Sequence, residues 1–555
     1  MTGARELVLE VRGMTCDHCE QSVAKALQSV PGVQQVLEVS HAEGKARVMA
    51  GPEATAERIR QAVENAGYRA LVGEWFKPSD SQTASATNRG EFDLLIVGGG
   101  SAGFAAAIKA ADLGARVAMI EAATLGGTCV NVGCVPSKTL IRAAEAQHRR
   151  VHHGFRGIPT TDGRLDWLTV RAEKDALVAE LRQSKYWNVL RVYPAITLLE
   201  EHATLASGRH VRLASGRTVT AGKILVATGA SPWAPSIPGL AEAGYLDNAS
   251  AMALDRLPES LIVIGASAVG LELAQMFARL DVEVTVLEAL PRVVPAEDSD
   301  IGNALGEYLR SEGLEVHTEI QIDQVRRGTD GYTVQFRAGS ETRIVRADQL
   351  LVATGRRANS AGLGLEGIGV SVGRKGEILV NDFLQTTNPD VYAAGDVIGD
   401  PMFVYVAAYG GAVAAENALT GNNRRRDLSA LPRVTFTDPA VSSVGLTEDQ
   451  ARAQGIELLV SKLLLQHVPR ALAARDTRGF IKLVADARTR NIIGAHILAA
   501  EAGEMITEAA LAIKRGLAIK DLTSTFHPYL TLAEGIKLAA QAFDKDVARL
   551  SCCAA

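Results

Sequence analysis

The chain has 555 residues, and its 58 lysine and arginine residues are slightly outnumbered by 63 aspartate and glutamate residues, which gives a formal net charge of −5. This balance excludes the basic footprint of a nucleic-acid-binding protein. The length predicts roughly three to five domains. Six cysteines in a chain of this length are too few for a secreted disulfide scaffold.

The start of the chain lacks the basic segment and apolar stretch of a signal peptide. The richest apolar region, residues 94–120, is interrupted by charged side chains, so we expect no membrane insertion. The cysteines form three close pairs, which indicates chemistry rather than packing. We therefore expect a cytoplasmic protein with reactive thiols.

Residues 1–72 predict a small α+β module. Alternating apolar residues predict four strands, at 6–12, 33–39, 45–49 and 68–72, and helical spacing predicts helices at 17–29 and 54–65. The resulting order β-α-β-β-α-β is that of the ferredoxin-like fold. Residues 73–90 are small and polar, which predicts a flexible tether.

A pair of thiols, Cys16 and Cys19, lies in the segment GMTCDHC between the first strand and the first helix of this module. Two soft sulfurs suit a thiophilic ion of low coordination number, such as Cu(I) or Hg(II), whereas zinc requires four ligands. A redox-active pair is the alternative. The segment resembles the heavy-metal-associated domain, which implies a metal site at both cysteines.

A first nucleotide-binding unit follows the tether. The apolar strand Phe92–Val97 leads into a glycine-rich turn and the helix Phe104–Leu113, and an acid follows at the end of the next strand. This context favours a dinucleotide site over a simple tight turn, because glycines allow close approach of a pyrophosphate to a helix N-terminus. The predicted contacts are Gly98, Gly100, Ser101, Ala102, Gly103 and Glu121.

A second such unit begins at the strand Leu261–Ile264. Gly265 and Gly270 bound its turn, Ser267 replaces the middle glycine, and Glu288 ends the next strand. Two dinucleotide sites in one chain indicate a bound prosthetic group and an exchanging electron donor, with flavin plus nicotinamide as the expected pair. Glu288 favours a free ribose 2′-hydroxyl, hence NADH; Arg292 is the nearby candidate for a 2′-phosphate.

A third motif, GGTCVNVGCVPSK, contains Cys129 and Cys134. Four residues separate the thiols, and a helix N-terminus would favour the thiolate, the reactive form. The pattern predicts a redox-active dithiol; the alternative is a pair of buried thiols that act as small apolar groups. After about residue 431 the pattern changes to strands and amphipathic helices, which predicts a separate C-terminal domain, residues 431–555.

Together these motifs resemble the pyridine nucleotide-disulfide oxidoreductase family over residues 91–550. The resemblance implies an α/β fold with two Rossmann-like domains and an α+β dimerisation domain. It assigns FAD to residues 91–235 and 356–430 and a nicotinamide nucleotide to 236–355. It also implies a homodimer in which the C-terminal domain of one chain completes the active site of the other.

The resemblance also assigns roles. Cys134 would lie against the flavin and Cys129 would exchange with substrate, while Lys138 and Glu272 would form an ion pair near the flavin. Further cofactor contacts are implied at Gly127, Thr128, Lys138, Gly229 and Asp396. The family's nicotinamide donor is mostly NADPH, which we expect here together with appreciable use of NADH.

The chain departs from the disulfide-reducing members in its segment FHPYLTLAE, where Tyr529 occupies the position of their catalytic histidine. A phenol with a pKa near 10 is a poor proton shuttle at neutral pH, so reduction of a disulfide is disfavoured. A shifted alignment would restore a histidine, His527. The chain also ends in a vicinal thiol pair, Cys552 and Cys553, for which we expect a use because such a pair oxidises readily.

These departures, with Tyr186 and Tyr529, resemble the branch of the family that reduces Hg(II). That resemblance implies capture of Hg(II)-thiol complexes by Cys16 and Cys19, or by Cys552 and Cys553 of the partner subunit, and transfer to Cys129 and Cys134 for reduction to Hg(0). Other mercury-carrying proteins are possible donors. The alternatives are a dihydrolipoamide- or glutathione-type disulfide reductase with a metal-binding appendage, and a metal-delivery protein.

Overall fold

The computed structural model describes residues 5–12, 14, 17–41, 44–51, 53–72, 90–160 and 163–546. The chain divides into two units, residues 1–88 and 89–555. Cys16, Cys552, Cys553 and nearly all of the predicted tether lie outside the described residues.

The first unit is a four-stranded antiparallel sheet with two helices. Its elements are β1 (Arg5–Arg12), α1 (Asp17–Gln28), β2 (Val33–Ser40), β3 (Lys45–Ala50), α2 (Ala56–Asn65) and β4 (Arg69–Val72). The strand order β2-β3-β1-β4 confirms the predicted ferredoxin-like arrangement. Alternate residues of β1, Leu7, Leu9 and Val11, are buried in the core. Helix α2 begins two residues later than predicted because Thr55 caps it, accepting a hydrogen bond from the Arg58 amide.

The second unit opens with a nucleotide-binding domain. Its elements up to residue 232 are β5 (Phe92–Val97), α3 (Ser101–Asp112), β6 (Val117–Ile120), α4 (Gly127–Val132), α5 (Cys134–Arg149), α6 (Trp167–Arg182), a π turn (Gln183–Trp187), α7 (Asn188–Val192), β7 (Ile196–Leu199), β8 (Ala203–Ser207), β9 (His210–Leu213), β10 (Thr218–Val226) and β11 (Ala230–Pro232). Strand β5 is central, and Leu94 to Val97 are at most 4% exposed. Burial on both faces is typical of a parallel sheet covered on both sides.

A second nucleotide-binding domain follows. Its elements are α8 (Leu240–Ala243), α9 (Asn248–Ala251), β12 (Ser260–Ile264), α10 (Ala268–Ala278), β13 (Glu283–Leu287), α11 (Ser299–Ser311), β14 (Glu315–His317), β15 (Ile320–Gly328), β16 (Gly331–Ala338), β17 (Glu341–Ala347) and β18 (Gln349–Val352). Strands β14, β13, β12 and β18 form a parallel sheet in that order, and β15 to β17 form an antiparallel sheet beside it. The turn after β12 therefore lies at the carboxyl edge of a parallel sheet, where ligands of such folds bind.

The chain then returns to the first nucleotide domain with β19 (Arg356–Ala358), β20 (Val391–Ala393) and α12 (Val404–Thr420). Strand β20 pairs in parallel with β10, so the sheet has the order β7-β6-β5-β10 with β20 beside β10. A Cβ on Gly411 of α12 would overlap the backbone of Ala102 in α3. This close approach brings the segment after β20 next to the first glycine-rich turn.

The C-terminal domain is a five-stranded antiparallel sheet covered by helices. Its elements are β21 (Arg433–Thr435), β22 (Ala440–Gly445), α13 (Glu448–Ala453), β23 (Leu458–Leu464), α14 (Pro469–Ala474), β24 (Phe480–Asp486), β25 (Ile492–Ala499), α15 (Ala502–Arg515), α16 (Ile519–Ser524) and α17 (Glu534–Gln541). The strand order is β21-β22-β25-β24-β23. The Thr531 hydroxyl accepts a hydrogen bond from the amide of Glu534, the first residue of α17.

In the part of the chain that the structure describes, none of the helices combines the length and apolar character needed to cross a membrane.

Candidate functional site

The first glycine-rich turn has a backbone that only glycine allows. Gly98 has φ +116°, and a Cβ there would overlap the carbonyl of Ala227; a Cβ on Gly103 would overlap the carbonyl oxygen of Gly98. Helix α3 starts at Ser101, and its N-cap, Gly100, offers no side chain to the first amides. These amides and the positive end of the helix dipole are therefore available to a pyrophosphate.

Glu121 ends the next strand as predicted. Its Oε2 accepts the amide of Gly99 at 2.7 Å, and its Oε1 accepts the amide of Ala123 at 2.7 Å. The carboxylate is thus held rigidly at the carboxyl edge of the sheet, beside the turn. This placement fits the acceptor that an adenosine ribose requires.

The second unit repeats this geometry. A Cβ on Gly265, at φ +105°, would lie 2.6 Å from the carbonyl oxygen of Ala353, and a Cβ on Gly270 would overlap the carbonyl of Gly265. Oε2 of Glu288 accepts the amide of Ala266 at 2.7 Å. The turn opens into a cavity of about 590 Å³, a size that accommodates a dinucleotide portion.

Some of the remaining residues predicted for the flavin lie against the first turn. A Cβ on Gly127, at φ +63°, would lie 2.7 Å from the Cα of Gly100, so the dithiol segment is pressed against the turn. Burial raises the pKa of Asp396, while the nearby Arg356 opposes this shift. Gly229 has φ +71°, and the Thr128 hydroxyl accepts a 3.4 Å hydrogen bond from Arg356.

Arg356 is a site residue that the motifs did not assign. It is strongly desolvated, which lowers the pKa of its guanidinium, and its Nε has no hydrogen-bond partner among the described residues. An orphaned buried donor between the two nucleotide turns fits a bound anionic cofactor. The residues present therefore fit FAD in the first unit. The sequence signal was the arginine that directly follows the glycine turn after β18.

The two central thiols lie on successive short helices. Cys129 is in α4, and Cys134 is the first residue of α5, with Gly133 between the helices. A Cβ on Gly133 would lie 2.9 Å from the carbonyl oxygen of Thr128, so glycine permits the close approach of the two helices. No disulfide joins the two thiols.

The surroundings of the dithiol distinguish its two sulfurs. The hydrogen bond from the Cys129 thiol, assisted by Lys138 and by the amide at the start of α5, lowers the pKa of Cys134 to about 7, although burial opposes this. The same hydrogen bond and burial raise the pKa of Cys129. The arrangement therefore favours a thiolate at Cys134, next to the first nucleotide turn, and a thiol at Cys129.

Lys138 and Glu272 form the predicted ion pair, with 2.6 Å between Nζ and Oε2. Glu272 is nearly buried, and its Oε1 accepts the amide of Phe436 at 2.9 Å. The Lys138 ammonium also lies 4.7 Å from the centre of the Phe436 ring. Glu272 therefore connects α5, α10 and the start of the C-terminal domain.

Tyr186 lies within the π turn and reaches the dithiol. Its ring packs edge-on against Phe104 at 4.7 Å, and its Cε2 would be 3.3 Å from a Cβ on Gly126. Burial raises the pKa of its phenol, the two nearby cysteines add to this, and a hydrogen bond with Ser101 opposes it. Tyr186 is thus a neutral phenol beside two sulfurs. Single-turn π segments are frequent at functional sites.

Two asparagines that sequence patterns did not single out stabilise the dithiol segment. Asn131 donates to the carbonyls of Leu125 and Gly127 at 3.0 and 2.9 Å, and it accepts from Arg182 at 2.8 Å. Asn248, at the rim of the second cavity, donates to the carbonyl of Val132 at 2.7 Å. Asn131 could have been noticed from its position between the two cysteines; Asn248 carries no such signal.

Tyr529 lies in the C-terminal domain on the segment between α16 and α17 and is 52% exposed. The nearby histidine is engaged elsewhere: Nε2 of His527 lies 2.7 Å from Oε1 of Glu508, and Nδ1 lies 3.1 Å from the carbonyl of Thr525. His527 is therefore held against α15.

In the first unit the structure describes one of the two predicted metal ligands. Cys19 is the third residue of α1 and packs partly buried against the core of the unit. This position at the start of a helix suits a thiolate. Cys16 lies outside the described residues.

The family comparison matches nearly the whole chain. Residues 92–411 match the model of the pyridine nucleotide-disulphide oxidoreductases, and residues 431–540 match the dimerisation domain of the same family. Residues 8–69 match the heavy-metal-associated domain.

Curated relatives share this organisation. The chain is 42% identical over 546 residues to a mercuric reductase of Staphylococcus aureus, covering 98% of each chain. It is 43% identical over 560 residues to a mercuric reductase of Acidithiobacillus ferrooxidans, covering all of both. A mercuric reductase of Streptomyces lividans is 47% identical over 468 residues, which span 83% of this chain and 98% of that one.

Among solved structures, the HOCl-induced flavoprotein disulfide reductase RclA from Escherichia coli matches with a TM-score of 0.72 and 29% identity, over 81% of this chain and 99% of that one. A Cu(II) complex of the same protein matches with the same TM-score and 30% identity, over 80% of this chain and 98% of that one.

Proposed function

The chain belongs to the pyridine nucleotide-disulphide oxidoreductase family and, within it, to the mercuric reductases, and on this basis we propose that it reduces Hg(II) to Hg(0) with electrons from NAD(P)H. The observation that carries the proposal is the group of Cys134, Cys129 and Tyr186 beside the first nucleotide turn. It places a thiolate, a thiol and a neutral phenol where a thiophilic ion can be held. The resemblance inferred from the motifs is thereby confirmed.

The two thiols would take the ion by exchange. One of the two cysteines, as a thiolate, displaces one thiolate from a bis-thiolate complex of Hg(II). The departing thiolate takes the proton of the other cysteine, which, now also a thiolate, displaces the second thiolate. A two-coordinate soft ion is thus never released between sulfurs. Lys138 supports the anionic sulfur, and Glu272 orients that lysine.

Bound FAD would supply the two-electron chemistry that connects NAD(P)H to the ion, in the balance NAD(P)H + Hg(II) → NAD(P)⁺ + H⁺ + Hg(0). The turn from Gly98 to Gly103, with Glu121 and Asp396, would hold it. Tyr186, packed against Phe104, lies beside the two sulfurs. Elemental mercury no longer binds sulfur and leaves as vapour, which makes the reaction a detoxification.

The C-terminal domain belongs to the dimerisation type, which supports a homodimer. In such a dimer we expect Tyr529, Cys552 and Cys553 of the partner subunit to complete each site, with Cys16 and Cys19 as an additional capture pair. The predicted domain bounds and these residue roles remain part of the proposal. Hg(II)-thiol complexes, and other mercury-carrying proteins, are the expected donors, and a cytoplasmic location would supply both NAD(P)H and reduced thiols.

The decisive experiment uses purified holoenzyme with NAD(P)H, Hg(II) and excess thiol, and it measures both nicotinamide oxidation and evolved mercury vapour. We expect one mercury atom per nicotinamide oxidised. Replacement of both Cys129 and Cys134 by Ala should abolish both signals while the protein keeps its FAD. Undiminished mercury release from the double variant would contradict the proposal.

Disulfide reduction is the competing activity, and His527 is the residue it would need. The contacts of His527 with Glu508 and Thr525 favour a structural role for it instead. We therefore expect turnover of lipoamide or glutathione disulfide to be negligible beside turnover of Hg(II). Brisk disulfide turnover with no mercury release would favour the alternative.

A further inference from the structure

The cavity of the second nucleotide unit has an acid at its floor. Glu288 is 7% exposed, and it lines the cavity together with Gly265, Ser267 and Leu290. Its two oxygens are fixed by the amides of Ala266 and Leu290, at 2.7 and 2.8 Å. Both amides are backbone groups of the turn that would hold the nucleotide, so the carboxylate cannot swing away from a ligand without losing both hydrogen bonds.

This acid repeats the acid of the first unit atom for atom. In both units Oε2 accepts the amide of the residue after the first glycine, and Oε1 accepts the amide two residues beyond the acid. The adenosine ribose of FAD has a free 2′-hydroxyl, which a carboxylate can accept as a hydrogen-bond donor. The second unit therefore presents the same acceptor, suited to an adenosine without a 2′-phosphate.

The cavity also lacks the cation that a 2′-phosphate needs. Among the described residues that line it, the one basic side chain is Arg356. That guanidinium donates to the carbonyl of Ala230 and to the hydroxyl of Thr128, so it points to the flavin side. Beside Glu288, Leu290 is 49% exposed and presents an apolar side chain to the cavity.

Arg292, the candidate that the sequence offered for a phosphate, is not part of the lining. Its side chain packs on α11, where its Cδ would be 2.9 Å from a Cβ on Gly302. Among the described residues, the cavity lining therefore offers a 2′-phosphate no basic side chain other than Arg356.

We infer that this cavity selects NADH over NADPH, with Glu288 as the residue that determines the choice; the inference deepens the proposed function and rests on it. A 2′-phosphate carries a charge of about −1.5 to −2. Beside a buried carboxylate, with no nearby cation, it meets like-charge repulsion in a site of low dielectric. The 2′-hydroxyl of NADH instead donates to Glu288.

In the test, NADH or NADPH reduces the flavin of the holoenzyme anaerobically and without mercury. The loss of flavin absorbance over time gives the rate for each nucleotide. We expect NADH to be favoured by about tenfold to a hundredfold in second-order rate. Calorimetric titration of the same holoenzyme with ADP and with adenosine 2′,5′-bisphosphate should show the same order. Equal or better use of NADPH would overturn the inference.

Two variants test whether Glu288 determines the choice between NADH and NADPH. Glu288→Gln should weaken ADP binding and reduce the preference for NADH, and Leu290→Arg should raise the rate with NADPH. Arg292→Gln is the matched control and should leave the ratio of the two rates unchanged. Selective loss of NADPH use in Arg292→Gln would also overturn the inference. Because no step involves Hg(II), absence of mercury reduction would count against the proposed function alone.

Discussion

Cys134 is the residue whose chemistry depends most on its neighbours. The hydrogen bond from Cys129 and the charge of Lys138 lower its pKa to about 7, below the ordinary value of a thiol, so its thiolate fraction rises as the pH increases through neutrality. In the reduced holoenzyme, alkylation of Cys134 by iodoacetamide should be half-maximal near pH 7. Mass spectrometry of the modified peptide measures this directly.

The variant Lys138→Met removes one of the charges that lower this pKa. The half-maximum should therefore move to higher pH, because the thiolate loses its nearest cation. Lys45→Met, at an exposed lysine of the first unit, is the control and should not move the half-maximum. An unchanged profile in Lys138→Met would show that the lysine does not act on Cys134.

Tyr186 gives a second prediction at the residue scale. Removing its hydroxyl should leave the flavin reducible but weaken the holding of Hg(II) at the dithiol. We expect Tyr186→Phe to lower kcat/KM for Hg(II) by about tenfold, a loss of roughly 1.4 kcal/mol of transition-state stabilisation. Tyr193→Phe serves as the control. A loss confined to flavin reduction would contradict a role at the metal.

Motifs identified the cysteines and the two acids Glu121 and Glu288 because each is part of a local pattern of residue type and spacing, whereas the ion pair of Lys138 and Glu272 was implied by the family resemblance. Arg356 escaped because its partner Thr128 lies 228 residues away in the chain. Its role depends on the desolvation of its guanidinium and on its Nε, which has no hydrogen-bond partner among the described residues. Both features appear only in the packed structure. Arg292 shows the opposite case, since it is close to Glu288 in sequence but does not line the cavity.

At the scale of elements, the approach of α4 and α5 depends on one glycine. In Gly133→Ala the new Cβ would press on the carbonyl of Thr128, so the two helices must separate and the two sulfurs with them. We expect a loss of about 1–3 kcal/mol in stability and loss of the thiolate-flavin absorbance band of the reduced enzyme. Calorimetry and absorbance spectra measure the two effects.

Gly157→Ala is the matched control for this change. Gly157 lies in a loop, and a Cβ there would meet nothing within 4 Å. It should change neither stability nor spectrum. A normal spectrum in Gly133→Ala would mean that the helices tolerate the separation and that the two sulfurs do not require the close approach of α4 and α5.

Most element types could be predicted from periodicity, but their ends could not. Helix α2 starts after Thr55 because the hydroxyl of that residue accepts the backbone amide of Arg58. The π turn at Gln183–Trp187 could not be predicted either. An extra residue within a helix leaves no clear signal in the pattern of apolar side chains.

For the whole molecule, Glu272 is the residue that joins three domains. It pairs with Lys138 in the first nucleotide domain and accepts the amide of Phe436 in the C-terminal domain. Glu272→Gln keeps the shape but removes the charge, so we expect the unfolding temperature to fall by several degrees, equivalent to roughly 1–3 kcal/mol. Calorimetry of the holoenzyme measures the shift.

The control is Glu341→Gln, whose ion pair with Arg343 lies within one exposed strand. Exposed pairs contribute little, so this change should leave the unfolding temperature within about one degree. If both variants behave alike, Glu272 does not connect the domains energetically.

The architecture was predictable because the strand, glycine turn, helix and acid occur twice in the chain. Two such units imply two nucleotide domains, and the change of pattern near residue 431 implies a third domain. The interfaces among them were not predictable. They depend on single contacts such as those of Glu272 with Phe436 and of Asn248 with Val132. No local pattern in the sequence predicts such contacts.

The π turn that carries Tyr186 has a consequence for how such a site can arise. Helix α6 enters it and α7 leaves it, so the turn is an α-helical path lengthened by one residue. Each residue of an α-helix rotates the direction of its side chain by about 100°. Deleting one residue ahead of Tyr186 would close the helix regularly and swing the phenol away from the sulfurs. Insertion of one residue into a regular helix is therefore a change that can bring a tyrosine side chain towards a neighbouring dithiol.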